Sequence, residues 1–90
     1  MKIQIEIFPE YYDRLLSQIP TQSTMYAVLK NGLIIDHSDV GWQRKMIYIL
    51  CEMEQAKSIL QVADKICLPA AAQIAAGINA ANRSPGRSQW

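Results

Sequence analysis

Histidine occurs once in this chain, as His37, and cysteine twice, as Cys51 and Cys67. One histidine cannot complete a typical zinc set, and two cysteines spaced this far apart match neither CxxC nor any zinc pattern. Each cysteine sits in an apolar run, so the expectation is two reduced, buried small apolar residues, although a disulfide between them stays open. Long apolar runs are missing too. None approaches the ~18 residues that a membrane span requires. The opening MKIQIEIF alternates and has no apolar stretch of the secretory-signal kind, so a cytoplasmic protein is expected. An excess of charge of either sign is absent. Nine basic residues against eight acidic ones leave a formal net charge of +1, which gives no general attraction to nucleic acid or an anionic membrane.

What the chain does have is apolar side chains, which make up 50% of its 90 residues. That is ordinary for a folded chain and too many for a disordered one. A chain of this length is one domain burying roughly 60–65% of its unfolded surface. The domain is expected over residues 1–82, with residues 83–90, RSPGRSQW, as a flexible tail.

Two apolar runs joined by Asn31-Gly32, residues 24–37 (TMYAVLKNGLIIDH), organise the reading. Asn-Gly suits a two-residue type I′ turn, so these runs are expected to form a β-hairpin. In that register Tyr26, Val28, Lys30, Leu33, Ile35 and His37 share one face. Met25, Ala27, Leu29 and Ile34 share the other, with Asp36 at its edge. The second set is more uniformly apolar and is assigned to the core.

Before the hairpin, Ile3, Ile5 and Ile7 alternate with Lys2, Gln4 and Glu6 over residues 1–8, the pattern of a strand with one buried face. Pro9 opens a helix with Glu10 and Asp13 near its positive end, Tyr12, Leu15, Leu16 and Ile19 as its buried stripe, and Pro20 as its stop. After the hairpin, residues 36–44 read as a long polar connection. Residues 45–51 read as a strand that is apolar on both faces. From Glu52 the period changes to that of a helix, with Ala56, Ile59, Leu60, Ala63 and Ile66 on one side. Leu68-Pro69 breaks it, and a second helix runs to about Ala81. Its alanine-rich stripe is either a close-approach surface or simply good helix-forming sequence.

The resulting order, β-α-β-β-β-α-α, is an α+β two-layer sandwich with a mixed or antiparallel sheet and helices on one face. It is similar to ferredoxin-like folds in its first half. It departs from them in the extra strand after the hairpin and in having no strand after the last helix.

Motifs that would carry chemistry are weak. Asp36, His37 and Asp39 suggest a metal or acid–base site, but neighbouring strand residues diverge to opposite faces, and a polar loop with an Asx-type turn is the expected reading. His37, Ser38 and Asp39 do not make a hydrolase triad, since no G-x-S-x-G elbow accompanies them. Cys51 lies in an apolar strand with no base specified beside it. No enzyme activity, cofactor or metal is therefore expected. Trp42 and Arg44 are of the residue types enriched in interface hot spots, although Trp42 folding back to close one end of the core is the favoured reading.

The interaction candidates are Tyr26, Val28, Leu33, Ile35 and Tyr48 on the sheet face away from the helices, with Trp42 and Arg44 beside them. Aromatics and lysines on an open sheet suggest an RNA platform, but the recognition-motif signature and a basic charge are both missing. A second copy of the chain is the expected cover for such a face. The expected function is a small non-enzymatic interaction or regulatory module that forms a homodimer, with a further protein partner possible. The alternative is a domain that binds a small molecule between sheet and helices.

Overall fold

Ile3, Ile5 and Ile7 are all buried, as their alternation requires, on one face of a first strand, β1 (Lys2–Ile7). The computed structural model describes residues 1–39 and 41–83, apart from the side chains at positions 37, 39 and 42. Two helices follow β1, α1 (Pro9–Ser17) and α2 (Thr24–Lys30). Then come two strands, β2 (Leu33–Asp39) and β3 (Trp42–Glu52), and two more helices, α3 (Met53–Ile66) and α4 (Leu68–Asn82).

The protein is α+β, and its described residues form four helices and one three-stranded antiparallel sheet of order β1-β3-β2. β1 and β2 both run antiparallel to β3, so they are parallel to each other with β3 between them. That is a split β-α-β unit, the arrangement of the ferredoxin-like class.

The segment 24–30 is a helix and not the first strand of a hairpin. Ser23 is its N-cap, and its hydroxyl oxygen accepts the Tyr26 N–H at 3.1 Å. Met, Ala, Leu and Lys favour helix, and Met25, Val28 and Leu29 fall at the i, i+3, i+4 spacing of one buried stripe. Asn31-Gly32 is the exit of this helix. The Gly32 N–H donates to the Leu29 carbonyl at 3.0 Å, and the Tyr12 hydroxyl donates to the same oxygen at 2.6 Å. Gly32 does not have positive φ, so no type I′ turn forms there.

The hairpin lies one element later. The stretch 36–44, expected as a polar connection, is mostly strand. β2 runs to Asp39, β3 starts at Trp42, and the chain reverses between them, where Gly41 has φ of 88°. Cross-strand partners of opposite charge hold the outer part: Asp36 faces Lys45, and their ion pair spans 2.8 Å.

On the helix side, Ile3, Ile5 and Ile7 align with Cys51, Ile49 and Ile47. These six pack in one core with Leu15, Leu29, Ile59, Ile74 and their neighbours from all four helices. α3 starts with a capping box, in which Glu52 accepts from the backbone of Gln55 and Gln55 accepts the Glu52 N–H at 3.0 Å. α4 turns back along β1 and packs on α3. A Cβ at Gly77 would stand 2.9 Å from the Gln4 carbonyl oxygen, and the Gln73 side-chain oxygen accepts the Phe8 N–H at 3.0 Å. Helix α4 thus closes the outer edge of β1.

Candidate interaction surface

The face of the sheet opposite the core is built by pairing. Leu33 stands across from Tyr48 and Ile35 across from Met46, while Gln4 and Glu6 on β1 stand across from Leu50 and Tyr48. Of the expected candidates, Leu33, Ile35 and Tyr48 therefore meet on this open face. Leu33 is 65% exposed and Leu50 63%; Tyr48 is half-buried beside both, and Ile35 is half-buried on the side of Leu33 away from Leu50. A shallow groove lined by Gln4, Asn31, Leu33, Ile35, Tyr48 and Leu50 runs across it. Met46 is buried on this side without joining the main core. Desolvation, and after it the Glu6 carboxylate, push the Tyr48 phenol above its ordinary range.

Tyr26 and Val28 are elsewhere. Both belong to α2, half-buried against the core on the helix side, because the segment that carries them is helical. Val28 instead lines a groove of about 230 Å³ with Thr24, Met25, Gln55, Ser58 and Ile59, between α2 and α3. Ile34, expected in the core, is 68% exposed. It points to the helix side, opposite Ile47, but β2 is the outer strand of the sheet and leaves Ile34 uncovered.

Arg44 belongs to β3 and not to a loop. Its guanidinium lies 2.6 Å from both Glu10 carboxylate oxygens and 3.8 Å from the centroid of the Phe8 ring. An ion pair and a cation–π contact thus occupy Arg44 within its own chain and tie the hairpin to the start of α1. The hydrogen bond from Arg44 is the main reason the Glu10 carboxyl is held below its usual range. The Trp42 side chain lies outside the described residues.

Cys51 is a free, buried thiol that burial, and secondarily Glu52, push above its ordinary value, the wrong direction for a nucleophile. Cys67 is likewise free and buried. Among the described residues no group of three or more histidine, cysteine, aspartate or glutamate side chains is placed to hold a metal ion, and no helix is long and apolar enough to cross a membrane. The side chains of His37 and Asp39 lie outside the described residues.

Two positions that matter were not found by the sequence reading. Leu50 was placed on a strand but not singled out, although its alternation with Ile49 and Cys51 puts it on the face of Tyr48. Ile34 was assigned to the wrong environment, and its place on an edge strand has no local sequence signal. No family model matches the chain, and neither a curated protein nor a solved structure matches it.

Proposed function

We propose that the chain is a small non-enzymatic interaction module that self-associates through the open face of its sheet. The observation that carries this reading is the pair of large side chains Leu33 and Leu50, each more than 60% exposed, with Tyr48 beside both and Ile35 continuing the strip beyond Leu33. Scattered exposed leucines are normal, but a contiguous apolar strip on an open sheet is what an interface supplies. A second copy presents the same strip, so the surface is complementary to itself under a two-fold axis.

The small-molecule reading has two grooves behind it: an open one of about 430 Å³ where Gln4, Glu6 and Met46 of the sheet meet Gln73, Gly77 and Ala80 of α4, and the groove between α2 and α3. The second, at about 230 Å³, is smaller than the roughly 300–1,000 Å³ of ordinary ligand pockets, and it lies between helices and not between sheet and helices.

Light scattering and circular dichroism test the first reading. The wild-type protein is expected to have twice the mass of one chain. Leu33→Asp with Leu50→Lys is expected to halve that mass and leave the far-ultraviolet spectrum unchanged, since both side chains already face water in one copy. A wild-type monomer across the micromolar range would remove the reading.

A further inference from the structure

The two edges of the sheet are treated differently. The outer edge of β1 is closed by α4, whose Gly77 backbone sits against the Gln4 carbonyl and whose Gln73 takes the Phe8 N–H. The outer edge of β2 has no strand or helix beside it among the described residues. An uncovered edge is a template for pairing, and proteins that remain single blunt it with charge, proline or a bulge. The first half of β2 carries none of these. It reads Leu33-Ile34-Ile35, apolar toward both sides of the sheet, with Leu33 65% and Ile34 68% exposed.

We infer that two copies of this chain join edge to edge along β2, antiparallel about a two-fold axis beside Ile34, and form one continuous six-stranded sheet. The inference rests on the reading that the chain self-associates and goes beyond it in the place of contact: the β2 edges meet, and the two open faces lie side by side as one surface without covering each other.

The register follows from side-chain chemistry. A two-fold axis perpendicular to the sheet keeps both open faces on one side. Only registers that set open-face residues against open-face residues are then allowed, so the axis falls beside a residue and not between two. With the axis at Ile34, Leu33 of each copy faces Ile35 of the other on the open side, and Ile34 faces its own counterpart on the helix side. All six apolar side chains find apolar partners, and Asp36 lies opposite Gly32, clear of them. With the axis at Ile35, Asp36 would face Ile34. At Asp36, two carboxylates would stand directly opposite each other. At Leu33, Ile35 would face Asn31 and lose its partner. One register of the four satisfies every apolar group without opposing like charges.

Single-cysteine cross-linking reads this register. Directly opposed residues of an antiparallel pair are within disulfide reach, at about 4.5–5.5 Å between Cα atoms, whereas residues offset by two positions exceed about 7 Å. Cys51 and Cys67 are buried and give little background. Under mild oxidation, Ile34→Cys is expected to run mainly as a covalent dimer on a non-reducing gel, and Leu33→Cys and Ile35→Cys as monomers. Ile34→Lys is expected to give a folded monomer by light scattering and circular dichroism. A dimeric wild type with any other cross-linking pattern overturns the edge geometry and leaves association through the open face standing. A monomeric wild type overturns both.

Discussion

Gly32 has no side chain because there is no room for one. A Cβ there would stand 2.7 Å from Ile47 Cγ2 and 3.2 Å from the Leu29 carbonyl oxygen. The Ile47 methyl is attached directly to the Cβ of a residue held in the central strand, so it cannot swing aside. From sequence, Asn31-Gly32 suggested positive φ, and the structure replaces that reason with a steric one at the same residue. Gly32→Ala is therefore expected to destabilise the fold by about 1–3 kcal/mol, the range for overpacking a filled site. Urea unfolding followed by circular dichroism measures it. No change, or a gain from the smaller unfolded-state entropy of alanine, would mean that Leu29 and Ile47 yield freely. The other local reading to change is that of Arg44. Its residue type makes it a candidate anchor for a partner, but it is engaged by Glu10 and Phe8, both distant in sequence and invisible to a local pattern.

Elements were legible in proportion to their length and to the clarity of their period. Six alternating residues defined β1, and 14 residues of helical period defined α3. Both stand where they were expected, as do α1 and α4 to within a few residues. The seven residues of α2 were not legible as a helix. In so short a window, Met25, Val28 and Leu29 satisfy a helical stripe while Tyr26 and Val28 satisfy an alternation, and the Asn-Gly pair tipped the reading toward strand. The discriminating signal was Ser23, a capping residue just ahead of the apolar run. The error propagated to the candidate surface. Leu33, Ile35 and Tyr48 lie together as expected, because they are true strand residues, whereas Tyr26 and Val28 moved to the other side of the sheet with their helix. Ser23→Ala tests the cap. It removes the acceptor of the Tyr26 N–H and is expected to cost about 0.5–2 kcal/mol. Chemical denaturation gives the value, and Ser23→Asp should retain most of the stability. Equal losses in both variants would show that the cap hydrogen bond is not what holds the start of α2.

At the scale of the whole molecule, the arrangement turns on where α4 lies. A three-stranded sheet has two edges, and α4 packs along one of them, where Ile74 and Ile78 join the core that Ile3 and Ile5 anchor. The approach is close because position 77 is glycine. Two effects oppose each other if Gly77 is replaced by alanine. Helix propensity favours alanine by up to about 1 kcal/mol in a helix interior. Packing disfavours it, because the new methyl would lie 2.9 Å from the Gln4 carbonyl oxygen and 3.3 Å from Ile5 Cγ1. The oxygen belongs to strand backbone and cannot rotate away, so α4 must retreat from β1 along its length and loosen the burial of Ile74 and Ile78. Overpacking of this kind costs about 1–3 kcal/mol, which exceeds the propensity gain. Gly77→Ala is thus expected to lower the midpoint of thermal unfolding. It should also uncover the β1 edge, giving mass above that of the wild-type protein as concentration rises. Ala72→Gly, at an exposed position of the same helix, supplies the propensity cost alone and should leave the mass unchanged. A rise in the unfolding midpoint of Gly77→Ala would mean that α4 is not seated on β1 and that the two edges of the sheet are equally open.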